Sequence, residues 1–185
     1  MKLLFSIFFV VIVIVSGCSN VIDEEKAEIK TIQQATLESN IPSEDIFYTN
    51  EMDDSAFSLF QSPNGYGILN FSNTENGWVY QGNSGFEYTI DIEKTSFTFS
   101  QSTWHKGEIS LENESIYTTV FLGEIFEPKI NRIIVEYDNL KEEANIVKNK
   151  DRRYWNLLSK QDNGDETLYK ISAYSSDGKL LYERE

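Results

Sequence analysis

From Asp45 to the C-terminus, apolar and polar residues alternate with a period close to two, interrupted repeatedly by turn residues. This is the pattern of short antiparallel strands. Ile46-Phe47-Tyr48-Thr49, Ala56 to Gln61, Tyr66 to Ser72 and Gly77 to Gln81 read as strands. Pro63-Asn64-Gly65 and Asn76-Gly77 divide them, and the Asn-Gly pair suits a tight hairpin because both residues tolerate positive φ. Phe86, Tyr88, Ile90 and Ile92 alternate with Glu87, Thr89, Asp91 and Glu93, the cleanest half-buried strand pattern in the chain. Thr95 to Ser100, with Phe97 and Phe99, is expected to pair back on it.

The second half continues in the same style. Gly107 to Leu111, Ser115 to Leu122, Asn131 to Tyr137, Ala144 to Lys148, Arg153 to Ser159 and Thr167 to Tyr174 are strand candidates. Leu180 to Glu183 follows the turn signal Ser176-Asp177-Gly178-Lys179. Short strands at roughly 8–12-residue spacing are what a β-sandwich produces. The passage from Gly123-Glu124-Ile125 to Ile130-Asn131-Arg132-Ile133-Ile134-Val135 resembles immunoglobulin-like modules, in which a loop leads into a core strand. There is no Cys-Trp-Cys set, so the resemblance reaches the architecture and not an antibody-type domain.

Val21 to Ser39 is the one stretch with helical character. Asp23 can cap its start, Glu24 and Glu25 suit the first turn, and Ile22, Ile29, Ile32 and Thr36 form a modest apolar stripe. Asn40 and Pro42 end it. The fold class expected is therefore mainly β, α+β overall: an N-terminal helix with an antiparallel β-meander, followed by an immunoglobulin-like β-sandwich half. Four segments are proposed: 1–17 as a leader, 18–40 as helix and tether, 41–102 as a meander unit, and 103–185 as a sandwich-like unit. No Pro/Gly/Ser linker separates the last two, so they can equally be one domain.

The N-terminus follows another logic. Lys2 precedes an apolar run from Leu3 to Val15, and Val15-Ser16-Gly17-Cys18 places small residues before the only cysteine. Thirteen residues from Leu3 to Val15 make about 20 Å of helix, short of the ~30 Å hydrocarbon core. Val15-Ser16-Gly17-Cys18 resembles the lipobox of bacterial lipoproteins, in which a peptidase cuts before a cysteine whose sulfur carries diacylglycerol. The resemblance implies a lipid anchor on Cys18, and two acyl chains suffice for stable anchoring. It also places the protein on the cell membrane, facing away from the cytoplasm. An exported chain with one thiol has no internal disulfide, so its stability must come from packing.

The hairpin Asn76-Gly77-Trp78-Val79-Tyr80-Gln81-Gly82 and the ending Ala173-Tyr174-Ser175-Ser176-Asp177-Gly178-Lys179-Leu180-Leu181-Tyr182 resemble small lipoproteins of low-GC Gram-positive bacteria. That group implies no activity, so no catalytic residue is carried over.

Charge narrows the partners. The formal balance is −14, and −15 once Lys2 is removed with the leader. Such a surface repels nucleic acid and keeps an exported protein soluble. Aromatic residues, 14 % of the chain, argue against disorder.

Candidate chemistry is sparse. His105 is the only histidine and reads as a loop residue between Trp104 and Gly107, poorly placed to serve a nucleophile or a metal. Asp53-Asp54 and Glu112 to Glu114 are loop acids. Asp162-Asn163-Gly164-Asp165-Glu166 lacks the ligand spacing of an EF-hand and reads as a turn. No catalytic residue, cofactor or metal ligand is therefore assigned. Trp78 and Tyr80 are the ligand-binding candidates, since aromatics on an exposed sheet face stack on sugars or peptides. Phe86, Tyr88, Tyr169, Tyr174 and Tyr182 are weighed beside them, core packing being the first role of aromatics in strands. The expectation is a lipid-anchored envelope protein with a binding or structural role toward another envelope protein, a peptide or a wall glycan. The alternatives are a carboxylate-dependent hydrolase of wall polymers and an inhibitor or immunity-type lipoprotein.

Overall fold

The structure, a computed structural model, describes residues 29–88, 92, 95–106, 116–160 and 168–185. Its main elements are one short helix and twelve strands. They are α1 (Ile32–Thr36), β1 (Ile46–Glu51), β2 (Ser55–Ser62), β3 (Gly65–Thr74), β4 (Gly77–Glu87), β5 (Ser100–His105) and β6 (Tyr117–Ile125), then β7 (Arg132–Tyr137), β8 (Leu140–Glu143), β9 (Asn145–Asn149), β10 (Arg152–Leu158), β11 (Leu168–Tyr174) and β12 (Leu180–Arg184). They form three four-stranded sheets with orders β1-β2-β3-β4, β5-β6-β10-β9 and β12-β11-β7-β8. Every strand pairing within them is antiparallel. The chain is mainly β, as its alternation predicts.

The eight strands β5 to β12 make a sandwich. Taken in chain order they occupy positions A, B, C, C′, D, E, F and G, giving A-B-E-D facing G-F-C-C′, the immunoglobulin arrangement of sheets. Phe121, Trp155 and Leu157 from one sheet pack on Ile133, Val135, Ile171 and Ala173 from the other. The meander sheet β1–β4 lies on the outer face of the A-B-E-D sheet, where Phe57, Leu59, Tyr66 and Ile68 meet Trp104, Val120, Leu122 and Tyr154. Its own outer face is covered by α1, through Ile32 and Ala35 on Ala56, Phe60, Leu69 and Phe71. The result is three β layers with a helix on top. Strands in the inner layers are buried on both faces, so β2, β3 and β6 are buried continuously over most of their length.

Several expectations need correction. Thr31 closes a capping box with Gln34: its hydroxyl accepts from the Gln34 N–H at 3.2 Å, and its own N–H donates to the Gln34 side-chain oxygen at 2.7 Å. The described helix therefore starts at Ile32. Lys30 is extended instead, bridging β4 in parallel at Gly77, and Ile29 is exposed. The part of that call before residue 29 lies outside the described residues. Asn40 does end the helical segment, in the left-handed region at φ 59°. At the Asn76-Gly77 hairpin only Gly77 takes positive φ, at 95°, following the two turn residues Glu75 and Asn76.

Of the segment Phe86 to Ile92, the structure describes residues 86–88 and 92. Phe86 and Glu87 end β4, and Ile92 sits in a tight turn closed by the Thr95 N–H on its carbonyl at 2.9 Å. Residues 89–91 lie outside the described residues. Thr95 to Ser100 runs beside the end of β6. Phe97 bridges Ile125 and the Thr98 N–H donates to the Glu124 carbonyl at 2.8 Å, so this segment extends the sandwich. Gly123-Glu124-Ile125 is the end of β6 and not a loop; the connection to β7 runs through 126–131. Gly107 to Leu111 lies outside the described residues. β5 crosses position 102/103, where the sequence reading divides its two units, and the layers on either side share one core.

Candidate functional site

Two places concentrate side chains that could carry function: the surface around α1, and a polar cluster at the seam between the meander sheet and the sandwich.

Around α1 the chain leaves two clefts. One, of about 200 Å³, is lined by Ile32, Thr36, Leu37, Ile41, Ile46 and Thr49 among others, and among the described residues no ionisable group borders it. The other lies between the entering strand and β4, with Ile29, Lys30, Glu51 and Trp78 on its walls. Leu37 is 76 % exposed and Ile29 69 %, so both present apolar surface to solvent beside these clefts.

Trp78 and Tyr80 belong to this region. The Trp78 N–H donates to the Lys30 carbonyl at 2.9 Å, and both rings are half-buried against the core beneath α1. Tyr80 contacts Phe71 with ring centroids 6.0 Å apart, and its hydroxyl accepts from Asn83 at 2.6 Å. They are therefore not a free stacking face; Trp78 contributes one wall of a cleft.

Phe86 and Tyr88 go to the opposite side. The register of β4 shifts between the pairs Asn70↔Gly82 and Phe71↔Tyr80, leaving Gln81 as an extra residue. A bulge of one residue reverses which face the following side chains take. Trp78 and Tyr80 thus face the helix, while Phe86 stacks on Tyr66 at 5.5 Å and Tyr88 packs toward the sandwich. Gly82 adopts φ +136° here, a backbone conformation L side chains rarely take.

The seam cluster is built on Glu124 of β6. It is 2 % exposed, the one charged residue among the buried described residues. Arg152 of β10 grips it side-on, Nε to Oε1 and Nη2 to Oε2, both at 2.7 Å. The Tyr88 hydroxyl donates to Oε2 as well. The Arg152 guanidinium lies 5.0 Å from the Tyr88 ring centre and 5.4 Å from that of Tyr154. Thr98 donates or accepts with the Tyr66 hydroxyl at 2.7 Å and accepts from the Glu124 N–H at 2.8 Å. Burial pushes the Glu124 carboxyl up to about 7, and burial likewise raises the phenols of Tyr66 and Tyr154. A carboxyl of raised pKa is what a general acid needs. Here, however, both oxygens are already committed to Arg152 and Tyr88, so the group holds structure together.

The remaining candidates are dispersed. His105 is not a loop residue: it ends β5 opposite Tyr117, its ring 4.5 Å from the tyrosine ring, and its carbonyl accepts from Ser72. Asp53 and Asp54 form the β1–β2 turn, where their carbonyls accept from the side chain and backbone of Asn73 at 3.0 and 2.9 Å. Tyr174 lies under Arg132 at 4.8 Å, and Tyr182 is 38 % exposed on β12. Cys18, Glu112 to Glu114, Asp162 to Glu166 and the side chain of Tyr169 lie outside the described residues. Among the described residues no helix is long and apolar enough to cross a membrane, and no three His, Cys, Asp or Glu residues gather as a metal site.

Glu124 and Arg152 escape the sequence reading. The available signal is one glutamate inside the otherwise uncharged strand Tyr117–Ile125. Comparison with family models, with curated proteins and with solved structures returns no match.

Proposed function

We propose that this chain is a lipid-anchored protein of the bacterial envelope, held by diacylglycerol on Cys18 and facing away from the cytoplasm, and that its role there is binding. The anchor rests on Val15-Ser16-Gly17-Cys18 after a short apolar run. The observation that carries the binding role is the uncharged cleft beside α1, walled by Ile32, Ile41 and Ile46 with Leu37 exposed at its rim. Such a concave apolar surface suits the apolar side chains of an exported peptide or of a neighbouring envelope protein. A hydrolase of wall polymers would need paired carboxyl groups in a cleft, and among the described residues no carboxyl group borders this one.

Two experiments test the two parts. Cys18→Ser is expected to leave the membrane fraction and to lack the mass of the lipid; retention with an unlipidated wild-type mass would overturn the anchor. A photo-crosslinker at Leu37 in intact cells is expected to give a discrete adduct, absent from the same probe at Lys179 on the far turn. With the probe kept at position 37, Ile41→Asp and Ile46→Asp should weaken it. Hydrolysis of wall glycan by the purified protein, lost on replacing a single Asp or Glu without unfolding, would replace binding with catalysis.

A further inference from the structure

Two sheets meet at Glu124: the sandwich sheet, whose paired strands β6 and β10 bring Glu124, Arg152 and Tyr154, and the meander sheet, which brings Tyr66 from β3 and Tyr88 from just beyond β4. Among the described residues Glu124 is the only carboxyl in this group. The other groups facing it are an arginine, charged at any physiological pH, and the phenols of Tyr66, Tyr88 and Tyr154. Burial raises the first and last of these phenols and so keeps them neutral.

The ionised carboxylate has reasons to hold and reasons to let go. It gains two charge-assisted bonds from Arg152 and one from Tyr88, and charge-assisted bonds are about twice as strong as neutral ones. It gives up water, and burial carries its carboxyl up to about 7. Once protonated, the carboxyl stays buried at little cost, whereas the guanidinium has lost its counter-charge. Arg152 is 24 % exposed, so water is within its reach without any movement of β10. Tyr88 loses its anionic acceptor at the same time.

We propose that the Tyr88–Glu124–Arg152 cluster is a proton-operated clasp, in which ionised Glu124 holds Arg152 and Tyr88 on the seam between meander sheet and sandwich, and protonated Glu124 releases both while the cores stay packed. The released state exposes a guanidinium beside two tyrosine rings at the edge of the seam. Because the clasp is made of side chains alone, opening it leaves the strand ladders intact. This inference is independent of the binding role and of the lipid anchor.

The test is a titration of the full chain in detergent micelles by NMR, following the Glu124 side-chain carboxyl and the Arg152 Nε–H. The carboxyl is expected to titrate near 7. The Arg152 Nε–H is expected to be protected against exchange at about pH 8. At about pH 5 that protection, relative to free arginine at the same pH, should fall by about tenfold or more. Glu124→Gln should show unprotected Arg152 at both values with unchanged far-UV circular dichroism. Tyr88→Phe removes one bond and no charge, and serves where Glu124→Gln does not fold; in it the carboxyl should titrate above the wild-type value. A carboxyl midpoint at or below 4.5, the value of a solvated glutamate, would overturn the proposal. So would equal protection of Arg152 across the range, or a Tyr88→Phe midpoint at or below the wild-type one.

Discussion

The indole N–H of Trp104 on β5 donates to the carbonyl oxygen of Phe71 on β3 at 3.0 Å, so a sandwich side chain is bonded to the backbone of the meander sheet. Phe71 is positioned at the register shift of β3 and β4, where the regular ladder is interrupted and a carbonyl becomes available to an outside donor. The same seam carries Tyr66 with Thr98 at 2.7 Å, Asn70 with Ser102 at 3.0 Å and Thr118 with Ser55 at 2.9 Å. Apolar packing brings the layers together, and these bonds fix their register.

Trp104→Phe tests that register. The phenyl ring preserves much of the packing on Phe57 but leaves the Phe71 carbonyl without its donor in a buried place. A lost partner there costs about 1–3 kcal/mol. Urea unfolding should show that loss with an unchanged slope. A neutral result would mean that water replaces the indole and that the seam is wetter than its burial indicates.

Gly123→Ala should be far more damaging than its size suggests. A Cβ at Gly123 would sit 2.0 Å from the Thr98 carbonyl oxygen and 2.3 Å from the Trp155 Nε1. Those two atoms are themselves hydrogen-bonded at 3.1 Å. Since backbone and an inner-layer tryptophan must move, the cost should reach the upper end of the overpacking range, about 3 kcal/mol. Thermal unfolding of the variant is the measurement, and a shift within error of wild type would show that Thr98 yields easily.

How much of this was legible depends on what each strand faces. The turn signals were informative: Pro63-Asn64-Gly65, Asn76-Gly77 and Ser176-Asp177-Gly178-Lys179 do mark breaks between strands, although Gly65 and Gly77 already open β3 and β4, and β7, β9, β10, β11 and β12 fall within a residue or two of their expected spans. At Phe86 the alternation does mark strand, since Phe86 and Glu87 end β4. Alternation reports one buried and one wet face, and the inner strands β2, β3 and β6 have no wet face. The β7–β8 hairpin was missed because its turn residues, Asp138 and Asn139, both take positive φ without a glycine to announce it. The split of Trp78 and Tyr80 from Phe86 and Tyr88 depends on one bulged residue, Gln81, that no period-two reading can place. Glu124 and Arg152 lie 28 positions apart and are not register partners, so only the folded sheet brings them together.

The Glu124 carboxyl also gives stability a pH dependence whose sign can be worked out. In the unfolded chain it titrates near 4.5, and in the fold burial lifts it to about 7. A raised carboxyl binds its proton more tightly when folded. Its contribution is therefore fully present below 4.5 and is lost as the pH rises through about 7. Glu136, held down by the Lys141 hydrogen bond, and Asp177, held down by the Ser175 hydroxyl, act with the opposite sign. Their contribution is present above their unfolded values and is lost only as the pH falls further, so the two windows separate. Urea unfolding between about pH 5 and pH 7.5 should show wild-type stability falling by on the order of 2–3 kcal/mol, and Glu124→Gln should flatten that slope. Arg152→Met sharpens the test. With the guanidinium gone the ionised carboxylate is stranded, so the variant should lose about 3–5 kcal/mol above neutrality and much less near pH 5, where the carboxyl is protonated. A wild-type stability that rises across this window, or an Arg152→Met penalty equal at both ends, would mean that Glu124 stays ionised in the fold and that its fork with Arg152 outweighs the desolvation.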